Sequence, residues 1–162
     1  MATQADEVQN RFGIQKLYIK DASFESPASP EIFRKQWKPD INMEMNAANA
    51  KIDEHVFEVV LTLTITAKQE EETAFLVEVQ QAGIFEIQSN SEEEMKRALG
   101  SFCPNILFPY AREAVDNLVT RGGFPPLMLA PVNFDALFLQ AQQNAEEGKT
   151  DNAAAPASTT EH

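Results

Sequence analysis

The chain has a single cysteine, Cys103, among 162 residues, so no disulfide can close within it, and this fits a reducing compartment. It has only two histidines, His55 and the terminal His162, which leaves little material for a nucleophile with a histidine base beside it. Its six glycines form neither a Walker A loop nor a dinucleotide fingerprint, so ATP-driven work has no support. No stretch approaches the ~20 apolar residues of a membrane span. The first eleven residues carry Asp6 and Glu7 without an apolar run, unlike a signal peptide. Basic residues are also scarce: 13 Lys and Arg stand against 25 Asp and Glu, for a net charge of −12. Such a surface repels nucleic acid and anionic membranes and suits a basic partner. The expectation is a cytoplasmic protein that is not an enzyme and carries neither cofactor nor metal.

What the chain does have is enough apolar material for one folded body, with 43% hydrophobic residues and eleven phenylalanines. Residues 1–11 are polar, and residues 144–162 form an acidic tail rich in Ala, Ser and Thr; both are expected to be disordered around a domain of residues 12–143. The first half alternates with period two, the mark of strands with one buried face. The clearest such stretch, residues 55–66, puts His55, Phe57, Val59, Leu61, Leu63 and Ile65 on one side. Residues 37–45 set Trp37, Ile41, Met43 and Met45 against polar neighbours, with Pro39 favouring an edge position. Residues 73–81 and 12–25 read as two more strands. The second half changes to helical period. Ser91 and Glu94 form a capping box for a short helix ending near Gly100, and a longer helix opens between Asn105 and Pro109 and closes at Gly122 and Gly123. Asn133 then caps a last helix with the stripe Phe134, Leu137, Phe138, Ala141. Strands followed by helices predict an α+β fold, a four-stranded antiparallel sheet with helices packed on one face.

Candidate chemical residues read mostly as structural. His55 has no oriented partner and is better read as a satisfied strand residue. Cys103 precedes Pro104 at an expected interhelical turn, with no nearby Lys or His to lower its pKa, and reads as a small buried hydrophobe. The runs Glu70 to Glu72 and Glu92 to Glu94 send successive side chains in different directions, which suits solvent better than a metal. The remaining signal is an apolar surplus: Phe12, Phe24, Ile32, Phe33, Trp37, Ile41, Met43 and Met45 crowd the first 45 residues. Ordinary core accounts for part of it. Met beside aromatics also suits an adaptable binding groove or an interface between copies.

Three long segments carry a resemblance. Residues 101–113 (SFCPNILFPYARE), 71–85 (EETAFLVEVQQAGIF) and 129–138 (LAPVNFDALF) closely resemble the SecB family of bacterial export chaperones, within a similarity running from about Phe12 to Gln143. Val77 and Ala82 depart from a cysteine and a glycine of some members. The resemblance implies an ATP-independent holdase that keeps secretory precursors unfolded and delivers them to the SecA motor. It also implies a homotetramer built as a dimer of dimers, with any zinc belonging to SecA. Combined with the apolar surplus, it places client binding on Ile32, Phe33, Trp37, Ile41, Met43, Met45, Leu137 and Phe138. The positions matching the SecA-contact surface are Asp21, Glu25, Leu76 and Glu78. An acidic adaptor that uses its apolar surface only for self-assembly stays open as an alternative, and a thiol enzyme built on Cys103 lacks a base.

Overall fold

A computed structural model describes residues 10–151, with side chains described for residues 10–148. The expected disorder of residues 1–9 and 152–162 lies outside the described residues. Four strands, β1 (Arg11–Glu25), β2 (Asp40–Asp53), β3 (Val56–Gln69) and β4 (Glu72–Gln88), form one antiparallel sheet in the order β1-β4-β3-β2. The helices follow: α1 (Glu92–Arg97), a π-helical segment (Ala98–Phe102), α2 (Cys103–Arg121) and α3 (Phe134–Asp151). The architecture is the expected one of a four-stranded sheet with helices on one face.

The alternation of β3 and β4 places the core. Val59, Leu61, Leu63 and Ile65 of β3 and Phe75, Val77, Val79 and Phe85 of β4 are fully buried on one face. Leu107, Phe108, Ala111, Val115 and Val119 of α2, at helical spacing, close over them. Each large side chain buried there contributes about 1.5–3 kcal/mol, which makes the contact between α2 and the two inner strands the main stabilising layer. β2 and β1 are the edges.

Several local details differ from the sequence reading. Trp37 precedes β2 rather than lying in it, because Pro39 has no N–H for the ladder and pairing begins at Asp40. His55 does not start a strand. It sits at φ 59° in the turn between β2 and β3, where its carbonyl accepts the Ile87 N–H at 2.8 Å. Ser91 caps α1 by accepting the Glu94 N–H at 3.4 Å, but the Glu94 carboxylate accepts from the Ser89 hydroxyl (2.8 Å) instead of closing the box. The short helix does not stop at Gly100, and Cys103 is not in an interhelical turn. The chain stays helical through a π turn, in which the Cys103 N–H donates to the Ala98 carbonyl, just before Pro104 withholds its own donor. That register shift puts Pro104 in the first turn of α2 and Pro109 inside it. α3 runs past Asn144 to Asp151, so residues 144–151 are helical where a disordered tail was expected. Its Ala, Gln and Glu content favours helix despite its polarity.

Two features of this scaffold can be tested. The hairpin from β3 to β4 pairs Gln69 with Glu72 and leaves Glu70 and Glu71 as a two-residue loop at φ 51° and 69°, the type I′ geometry that favours Asn-Gly. The double substitution Glu70→Asn with Glu71→Gly should raise stability by about 0.5–1 kcal/mol, the left-handed penalty less the extra unfolded-chain entropy of glycine. A urea melt checks this, and an unchanged or lower midpoint would refute it. Gly100 lies under Phe138, whose ring carbon would be 2.6 Å from an added Cβ. Gly100→Ala should therefore undock α3 at a cost of about 1–3 kcal/mol. Amide exchange should quicken in α3 and stay slow in α2.

Candidate functional site

The segment between β1 and β2 builds an aromatic cluster. A single 3-10 turn, Glu31–Arg34, rotates Ile32 inward and Phe33 outward. Phe33 lies 5.0 Å from Phe124, and Phe124 lies 5.2 Å from Trp37 and 5.0 Å from Phe75, centroid to centroid. Phe24 joins from β1 at 6.0 Å from Phe75. Gly123 makes the approach possible. Its φ of +91° favours glycine, and an added Cβ would meet the Phe33 ring at 3.2 Å.

The cluster continues along β2. Ile41, Met43 and Met45 pair with Ala67, Ile65 and Leu63, so they point to the helix-bearing side of the sheet. The helices do not reach this edge fully: Ile41 and Met43 keep 41% and 39% of their surface, while Met45 is half-buried. Met45, Ala47 and Leu61 then line a depression of about 310 Å³ with Gly100, Phe134, Leu137 and Phe138 at the foot of α3. An apolar track thus runs from Trp37 beside edge strand β2 to Phe138. Seven of the eight residues expected to hold a client line it or its ends. Ile32 does not, because it is only 2% exposed and belongs to the core. Phe75 joins the cluster from the apolar face of β4, and Phe124, also part of it, is not marked by the sequence pattern. Phe124 follows a glycine turn whose fold-back periodicity does not reveal.

Among the described residues, the other face of the sheet carries no helix, and it holds the acidic set. Asp21, Ser23 and Glu25 pair with Gln80, Glu78 and Leu76, so Asp21, Glu25, Leu76 and Glu78 share one patch. Leu76 sits opposite Glu25, and Glu78 accepts the Thr64 hydroxyl from β3 at 2.9 Å. Further along the same face, Glu58 accepts from the Tyr18 hydroxyl and from Lys20 Nζ at 2.7 Å. The Lys20 hydrogen bond, then that of Tyr18, holds the Glu58 carboxyl below its ordinary value. Burial and then Glu58 push the Tyr18 hydroxyl up to about 12. Irregularities in β1 pairing around Gln15 and Lys20 decide which side chains meet here, and no sequence signal marked them.

The remaining candidates read as structural. Burial pushes the Cys103 thiol up to about 12, so it is not a thiolate near neutral pH. His55 Nε2 lies 3.7 Å from Glu54 at the exposed hairpin. A cleft of about 570 Å³ near the start of α3 contains Asp135, which accepts from Arg97 at 3.0 Å and from Ser101 at 2.5 Å. Arg97 first and Ser101 second hold Asp135 below its ordinary value, and the three side chains anchor α3 rather than forming a reactive centre. Among the described residues no group of three or more His, Cys, Asp or Glu is placed to hold a metal, and no helix is long and apolar enough to cross a membrane.

Residues 5–145 match the family described as preprotein translocase subunit SecB. The protein-export protein SecB of Nitrosococcus oceani is 59% identical over 140 residues, covering 85% of each chain. That of Hahella chejuensis is 52% identical over 153 residues, covering 93% of this chain and 92% of its own. Among solved structures, a SecB-like chaperone of Mycobacterium tuberculosis, in complex with a peptide from an antitoxin, has a TM-score of 0.63 over 75% of this chain and 91% of its own. Its sequence identity is 19%, so the likeness is one of fold. With the match spanning the whole sheet, α1 and α2, and with two close relatives aligned over most of their length, the chain belongs to the SecB family of protein-export chaperones.

Proposed function

We propose that the protein is an ATP-independent holdase of the cytoplasm that binds unfolded secretory precursors along the apolar track and delivers them to SecA through the acidic open face. The observation that carries this reading is the track itself: Ile41, Met43 and Met45 lie on the helix side of edge strand β2, only partly covered, next to the aromatic cluster that holds Phe33 and Trp37. Burial there contributes about 25 cal/mol per Å² without regard to sequence order, which suits many different clients. Methionine adapts to their shapes. Binding and release of this kind need no bond-making group, so the protein acts without catalysis. A homotetramer, built as a dimer of dimers, fits the open β1 edge and the exposed Ile14, Ile19 and Tyr110 beside it.

The test is suppression of aggregation of a denatured precursor at stoichiometric amounts. Ile41→Gln with Met43→Gln should weaken capture about tenfold, the factor for about 1.4 kcal/mol of lost apolar burial. The mass of the assembly by light scattering should not change. An assembled wild-type protein that fails to suppress aggregation would instead favour an adaptor that uses this surface only for self-association. For delivery, Glu78→Lys should abolish SecA docking while leaving capture near wild type. Raising salt from 0.1 to 1 M, which shortens the Debye length from ~10 to ~3 Å, should weaken docking more than capture. Equal loss of both activities would mean that the two faces are one site.

A further inference from the structure

We propose that Gln69 is a positioning residue that holds Trp37 in the track. The proposal rests on the reading of that track as the client surface and names what orders its aromatic end. Gln69 is the last residue of β3 and is only 4% exposed, unusual burial for a glutamine. Its side chain bonds through both polar atoms: Oε1 accepts the Lys38 N–H at 2.8 Å and Nε2 donates to the Gln36 carbonyl at 2.9 Å. The two bonds flank Trp37 on either side.

The sheet explains why such a clamp is needed. The ladder between β2 and β3 ends at the pair Asp40 and Lys68, because the next residue of the incoming chain is Pro39, which cannot donate. Without a ladder, nothing fixes the backbone register of the residues before it. The amide of Gln69 offers a donor and an acceptor and so takes the place of a strand rung one step past the proline. Among the described residues, both backbone hydrogen bonds of the stretch from Gln36 to Lys38 go to this one side chain. Apolar contact with Phe75 and Phe124 draws the indole inward but is non-directional, whereas the paired hydrogen bonds set where along the track it sits. A client meeting an unclamped segment would bind only the fraction in which Trp37 is in place, and apparent affinity falls by that fraction.

Trp37 is the single tryptophan of the chain, so its fluorescence reports on the clamp directly. Gln69→Leu keeps the volume and removes both bonds. The emission of Trp37 should shift to the red and become more accessible to acrylamide in the free protein. Capture of a denatured precursor should weaken by up to about tenfold, the factor for about 1.4 kcal/mol of hydrogen bonding. Gln69→Glu, measured at pH 8, keeps the acceptor for Lys38 but sets a carboxylate against the Gln36 carbonyl, and it should also release Trp37 should the leucine variant fold poorly. In a Trp37→Ala background Gln69→Leu should cause no further loss of capture, since the effect acts through the indole. Wild-type emission and quenching in both Gln69 variants would overturn the proposal, as would full additivity of the two substitutions in capture. Released fluorescence with unchanged capture would leave the clamp standing and instead remove Trp37 from the client surface.

Discussion

The burial of the inner face of β3 and β4 under α2 decides which way the other side chains of the sheet can point. Val59, Leu61, Leu63 and Ile65 cannot turn outward without emptying the contact with Val115 and Val119. Because strand side chains alternate, fixing one set fixes the opposite set, and cross-strand pairing passes the choice to the neighbouring strands. Glu78 and Leu76 therefore face away from the helices, and Asp21 and Glu25 of β1 follow them through register. On the far side, Met43 and Met45 follow Ile65 and Leu63 toward the helices.

The same layer is narrower than the sheet it covers. α2 lies over the two central strands, while α3 leans on the π-helical segment through Phe138 against Gly100 and through Asp135 to Arg97 and Ser101. Edge strand β2 is left with apolar side chains and an incomplete roof. A fully roofed β2 would make Ile41 and Met43 ordinary core, and an edge without them would be a polar strand. Their part-exposed state marks where core packing ends and the apolar track begins.

Charge is arranged on the opposite side. The open face gathers carboxylates that are in part held by neighbours, Glu58 by Lys20 and Tyr18, and Glu78 by Thr64. Such bonds order the face without neutralising a chain whose net charge is −12. The acidic surface and the apolar track lie on opposite faces of one sheet and share no side chains.

The sequence by itself determined the class of fold, four strands then helices, and which side of β2, β3 and β4 is apolar, since periods of two and 3.6 are written in local spacing. It also determined the acidic set on the strands, Asp21, Glu25 and Glu78, and the cap at Asn133, whose side-chain oxygen accepts the Ala136 N–H at 3.1 Å. Resemblance in three long segments supplied the family. Only the tertiary structure decided that Ile32 is core while Phe33 is surface, because one 3-10 turn separates adjacent residues that are both strongly apolar. It alone joined Phe124 to Trp37, residues far apart in the chain, and turned Gln69 inward to bracket that tryptophan. Helical continuity through Gly100 and Pro104 was likewise invisible locally, since glycine and proline ordinarily end helices and only packing against Phe138 and a π turn let this one pass. Periodicity records what each residue prefers, whereas contacts between distant residues depend on how the preferences of separate elements are reconciled in space.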